Sequence, residues 1–150
     1  MEVNVHETAY WVFYIGPEGL CIDPQLCGKW MYFWNDRAFV ARICELAVST
    51  EVVTTAKHSN ADRGVACFYI DGTDKESHKR VLRFFLDNNL IKRTAQGRLH
   101  NISFKYDQQT RAGEYGEDFK ARIQLSDFVD LYKGKFLSDP NQADVDVPIK

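Results

Sequence analysis

Three lysines stand in aromatic company along this chain. Lys29 opens the run "KWMYFW" after Gly28, Lys57 ends "VVTTAK", and Lys105 sits between Phe104 and Tyr106. An ammonium group beside ring faces suits an anionic, partly flat ligand such as a phosphate, a nucleotide or a phosphorylated peptide. The plainer alternative is that lysines sit on any solvated sheet face and that aromatic runs build core. What separates the two is whether these lysines share one face of neighbouring strands.

Further polar residues fall near them in sequence. "KHSNADRG" puts His58, Ser59, Asn60 and Arg63 just after Lys57, either lining a site or simply turning a hairpin. "VACFYID" supplies Tyr69, and "QTRAGEYG" supplies Arg111 and Tyr115, which would clamp an anion or only turn the chain. His78, at the edge of a helical apolar stripe, reads as a satisfied boundary histidine. Asp71 and Asp74 read as turn and cap residues rather than metal ligands. G-x-S-x-G, H-E-x-x-H, the P-loop and G-x-G-x-x-G are all missing. No catalytic residue, metal ligand or cofactor is therefore assigned, and the ligand-binding candidates are Lys29, Lys57, His58, Tyr69, Lys105, Arg111 and Tyr115.

The elements that must position these residues follow from periodicity. "YWVFYI" is a strand ending at Gly16-Pro17, and "GKWMYFW" is the next. Asn35-Asp36 then offers an N-cap to "DRAFVARICELAV", where Phe39, Val40, Ile43, Leu46 and Ala47 recur at helical spacing. "EVVTTAK" and "VACFYID" read as a hairpin. Thr73 with Glu76 three residues on forms a capping box for a second helix, whose stripe is Val81, Leu82 and Phe85. "LHNISFKYD" and the alternating "FKARIQL" read as strands, and Ser126 caps a short helix, "DFVDLYK".

The predicted fold is therefore α+β: one domain over residues 1–137, with a mostly antiparallel, curved sheet and two main helices on one face. Residues 138–150, with two prolines and three aspartates, read as a flexible tail. Alternation places Lys29, Met31 and Phe33 on the face away from the helices, with Val53, Thr55, Lys57, Cys67, Tyr69, Asp71, Ser103 and Lys105. Trp30, Tyr32 and Trp34 point toward the helices.

Length and composition bound the rest. The 150 residues, 45% hydrophobic and 13% aromatic, suffice for one core and exclude wholesale disorder. A net charge of −2 gives no global field toward nucleic acid or anionic membrane, so nucleic acid is not favoured as a partner. No apolar run approaches a membrane span, and the acidic, polar start reads as no signal peptide. Four cysteines without C-x-x-C spacing read as free thiols of a cytoplasmic protein.

The motif order carries a resemblance. Gly28-Lys29-Trp30-Met31, Ala56-Lys57 and the run Lys105-Tyr106, Thr110, Gly113, Tyr115 resemble the family typified by the basophilic-leukaemia-expressed protein. The likeness spans roughly residues 10–116. It implies a fold like that of the cap-binding translation initiation factors and no established activity; the two stacking aromatics and acidic residue that cap binding needs find no match. A more distant likeness, to bacterial phosphothreonine lyases, implies Lys57 as a proton-abstracting base and Arg111 as a phosphate-holding arginine. The acid histidine of that pattern falls on Met31, a thioether with no proton to give, so the lyase reading needs His58 as a substitute. The sequence therefore favours a non-enzymatic anion binder, with a phosphate-eliminating lyase and a protein-interaction domain as alternatives.

Overall fold

The computed structural model describes residues 2–20, 22–115 and 119–137. Its centre is a seven-stranded antiparallel sheet in the order β1-β2-β4-β5-β3-β6-β7. The strands are β1 (Asn4–Glu7), β2 (Trp11–Ile15), β3 (Cys27–Trp34), β4 (Thr55–Ser59), β5 (Gly64–Asp71), β6 (Ser103–Tyr106) and β7 (Ile123–Gln124). Two thirteen-residue helices, α1 (Arg37–Ser49) and α2 (Lys75–Asp87), cover one face, so the predicted α+β architecture is what the chain adopts. The tail expected to be flexible, residues 138–150, lies outside the described residues.

Alternation builds the helix-side core. Trp30, Phe68 and Phe104 are fully or almost fully buried, and they follow one another across β5, β3 and β6 in register. Phe85 of α2 meets Phe68 edge-on at 5.2 Å. Gly28 permits this packing: a Cβ there would fall against the Phe104 ring and 2.7 Å from the Lys105 carbonyl oxygen. A chain of buried Trp, Phe and Leu at this density supplies most of the driving force for folding.

His78 sits deeper than a boundary residue, 2% exposed among Trp30, Phe104 and Phe128. Trp30 Nε1 donates to His78 Nδ1 at 3.0 Å, and His78 Nε2 lies 2.8 Å from the Gly72 carbonyl oxygen. That pairing requires the neutral ring with its proton on Nε2. Burial lowers its pKa, with the Gly72 bond opposing.

Several local expectations give way to competing side-chain bonds. Asp74, not Thr73, caps α2 by accepting from the Glu76 N–H, because Thr73 is already tied to Asp71. In α1, Cys44 and Val48 are buried and Leu46 is 41% exposed, so the apolar stripe is rotated from the expected one. Val53 lies in the core ahead of a strand that starts at Thr55. An unforeseen β1 pairs with β2 from the polar start of the chain.

The "DFVDLYK" helix does not form. Asp130 Oδ1 accepts from the N–H groups of Tyr132 and Lys133, an Asx turn that diverts the chain. A small hairpin of β8 (Val129–Asp130) and β9 (Lys135–Phe136) replaces it. Likewise only Ile123–Gln124 of "FKARIQL" joins the sheet, since the Lys120 carbonyl accepts from the Gln109 side chain instead.

Candidate functional site

The face opposite α1 and α2 gathers the lysines. Lys29 stands opposite Lys105 on one side and Tyr69 on the other, while Lys57 stands opposite Cys67. Residues directly paired in an antiparallel ladder share a face and lie roughly 5 Å apart at Cα. Lys29, Lys57, Tyr69 and Lys105 are therefore neighbours on four consecutive strands, β4-β5-β3-β6, as alternation predicts.

This face is less open than expected. A third helix, α3 (Asp107–Arg111), falls in the stretch read as a turn-rich connection and rests over β3 and β6. It follows β6 directly, so Asp107 is aimed back at the strand pair. Lys29 Nζ donates to Asp107 Oδ1 at 2.8 Å and to Thr110 Oγ1 at 3.0 Å. Only 8% of Lys29 remains exposed. The pair is a neutralised, largely desolvated salt bridge rather than a solvated surface lysine. From the opposite edge, Arg111 donates to the Pro24 carbonyl at 3.3 Å and Gln108 bonds Gln25. These contacts join α3 to the loop before β3.

Lys57 has a different setting. Its Nζ lies 3.6 Å from the centroid of the Trp11 ring, with Phe13 at 5.6 Å and Tyr69 at 5.8 Å. Among the described residues no carboxylate stands within ion-pair distance of it. Burial lowers its pKa; Cys67 opposes this, Lys29 adds to it and Asp107 opposes it. The ring faces compensate the ammonium only in part, through their quadrupoles. The result is a half-buried cation whose desolvation is incompletely offset by the protein.

Lys105 is 7% exposed, one strand in from the sheet edge, with Tyr115 at 4.2 Å and Phe119 at 5.2 Å from its Nζ. Burial and then Lys29 lower its pKa, and Glu114 opposes them. Tyr115 itself is 60% exposed. The rings cap Lys105 from solvent, so it acts on the rest of the site mainly through its field.

Burial disfavours the thiolate form of the neighbouring thiols. Burial, then the Asp107 carboxylate, pushes Cys27 up to about 12, and burial likewise raises Cys67. Burial also raises Tyr69, so its phenol is a neutral hydrogen-bond donor. Cys27, Cys44 and Cys67 are free and buried. Among the described residues no group of three His, Cys, Asp or Glu is placed to hold a metal, and no helix is long and apolar enough to cross a membrane. Asp71 serves its turn and Asp74 its cap.

His58 does not join the site. It follows Lys57 on β4 and so points to the opposite face, 1% exposed between Tyr14 and Trp34. Its Nδ1 lies 2.9 Å from the Ser59 carbonyl oxygen and its Nε2 3.1 Å from the Tyr14 hydroxyl. Ser59 braces the hairpin by accepting from the Val65 N–H, and Asn60 binds Arg37, Glu7 and the Thr8 carbonyl. The His58–Asn60 stretch is therefore structural.

Sequence reasoning missed Trp11 and Phe13, the rings closest to Lys57, and Asp107 and Thr110, the partners of Lys29. Trp11 and Phe13 were legible in principle, since they alternate with Val12 and Tyr14 on β2. Their pairing with β4 was not, because strand order is a long-range property. Of two concave volumes, one of about 570 Å³ lies between β1 and Gly16–Gly19, and one of about 220 Å³ is lined by Tyr69 together with Glu51, Asp71 and Arg80. Neither is lined by Lys29, Lys57 or Lys105. No protein-family model matches the chain, and no curated protein matches it in sequence.

Proposed function

We propose that this protein is a binding module that holds an anionic ligand, such as a nucleotide or a phosphorylated partner, on the lysine and aromatic face of its sheet. The observation that carries this reading is Lys57: a half-buried ammonium on the Trp11 ring, on the same face as Lys29 and Tyr69, with no carboxylate partner among the described residues. A buried cation is costly unless paired. An incoming anion would supply the pairing that the protein omits, and the surrounding low dielectric would strengthen it. Lys29 has one N–H left after Asp107 and Thr110, and Lys105 adds attraction from behind its rings. Tyr115 covers Lys105, and Arg111, tied to the Pro24 carbonyl, would reach the ligand only from the end of α3. Buried free thiols agree with a reducing, cytoplasmic setting.

The test is ligand-induced thermal stabilisation across a nucleotide and phosphopeptide panel. Ligands should raise Tm in the parent protein, by more than the matched sodium chloride control, and Lys57→Ala should abolish the shift. Lys105→Ala should reduce it. Unchanged shifts in both variants would refute the reading.

A phosphate-eliminating lyase has one observation in its favour, because a proton-abstracting lysine needs the lowered pKa that burial gives Lys57. It lacks the histidine acid of that pattern: Met31 shares the Lys57 face, and His58 lies on the other side of the sheet. Release of inorganic phosphate from a phosphothreonine peptide, with a pH–rate profile set by one lysine, would revive it.

A further inference from the structure

We infer that the group held by this face is a doubly ionised phosphate, free or as a terminal monoester, in preference to a phosphodiester or a carboxylate. The inference rests on the binding reading above and sharpens it to a ligand class.

Charge is the first argument. On this face the sheet sets three ammonium groups, Lys29, Lys57 and Lys105, against one carboxylate, Asp107. Glu114 acts on Lys105 without reaching ion-pair distance, and its own carboxylate accepts from Gln109 at 3.1 Å. Among the described residues the positive excess is thus more than a single anionic charge would neutralise. A dianion answers it; a diester or carboxylate leaves a cation unmatched.

Donor count is the second. Lys57 offers three N–H groups for which the described residues supply no acceptor, and Lys29 offers its third. Tyr69, opposite Lys29 in register, adds ring surface, its hydroxyl being tied to Cys67. A terminal phosphate presents three oxygens that carry the charge, whereas a diester or a carboxylate presents two. Three strong acceptors match the free ammonium donors on β4 and β3.

Shape is the third. The distal part of an ester would lie over Trp11, Phe13 and Tyr69, the rings around Lys57. These rings half-bury the Lys57 ammonium without supplying a competing acceptor, which favours charge over bulk as the basis of selection.

The experiment is isothermal titration of the full chain at pH 8 and constant ionic strength, where a monoester is doubly charged because its second pKa is about 6. Methyl phosphate, dimethyl phosphate, acetate and inorganic phosphate are titrated separately, with a phosphothreonine peptide as a further arm. Methyl phosphate should bind about tenfold or more tightly than dimethyl phosphate or acetate. The peptide and inorganic phosphate arms then show whether the group is recognised in a protein, in a small ester or free. Equal or tighter binding of dimethyl phosphate or acetate would overturn the inference while leaving anion binding intact. Absence of heat and of thermal shift with every anion would overturn both. This comparison uses only the parent protein, so it stands whether or not a lysine variant folds. Lys57→Met, where folded, should bring the monoester down to the diester's affinity.

Discussion

Removing the carboxylate of Asp107 should cost more than removing the lysine it pairs with. In Asp107→Ala, Lys29 keeps only Thr110 as a partner while its side chain remains 10% exposed. Stripping one member of a buried pair leaves an uncompensated charge and costs about 3–5 kcal/mol in enclosed settings. The Asp107 side chain is 23% exposed, so water reaches part of the vacated space and about 2–3 kcal/mol is expected. For a chain of this length that corresponds to a fall in Tm of about 5–10 °C. Lys29→Met keeps the stem's packing and leaves Asp107, the more exposed partner, free to meet water; about 1 kcal/mol follows. Urea unfolding with an unchanged m-value, run on both variants, measures the difference. A loss below about 1 kcal/mol for Asp107→Ala would mean a solvent-screened pair. An equal loss for the two variants would equally contradict the buried-charge reasoning.

Other consequences follow from the core. His78 has its pKa lowered by burial, so the folded state prefers the neutral ring; its contribution is complete above the unfolded value of about 6.5 and is lost as pH falls through the lower folded value. His78→Phe should therefore be less stable than the parent at pH 8, through lost bonds to Trp30 and Gly72, and the gap should narrow toward pH 5 in parallel denaturation curves. Gly28→Ala should cost about 1–3 kcal/mol by overpacking against Phe104 and Lys105, read by the same denaturation assay. Trp30→Ala should cost about 3–5 kcal/mol and Phe33→Ser less than about 0.5 kcal/mol, although both lie on β3, because Trp30 is fully buried and Phe33 is 68% exposed. A large loss for Phe33→Ser would place an apolar contact on that ring.

The sheet was legible from alternation, and for a physical reason. Side chains on a strand obey a period of two whatever their neighbours, so "KWMYFW" sorted itself into Lys29, Met31 and Phe33 against Trp30, Tyr32 and Trp34, and the register bears this out. The same rule, applied to Lys57 and His58, puts consecutive residues on opposite faces. Grouping His58 with Lys57 as one loop obscured that, because β4 extends through Ser59. The α3 helix was hidden by its composition: "DQQTR" has no apolar stripe, and its single buried side chain is the amide of Gln109. It is held by bonds from residues far away in sequence, Lys29 and Pro24, which no local pattern announces. The extent of exposure was illegible for the same reason. Lysine on a sheet face reads as solvated until the segment covering it is known, and here the covers of Lys29 and Lys105 come from Asp107, Thr110, Tyr115 and Phe119.

One group matters most, the Lys57 ammonium, and whether an anion meets it. Lysine side chains labelled with ¹³C at Cε report each ammonium separately by NMR, with assignments from single Lys→Arg variants. On titration with methyl phosphate, the Lys57 signal should shift and saturate, followed by a smaller change at Lys29. Lys79, which stands on α2 beside Glu76 away from this face, should not move. The Lys57 pKa should rise on saturation, because a bound anion favours the charged form that burial disfavours. An unmoved Lys57, with gradual, unsaturable drift confined to exposed lysines, would contradict the account.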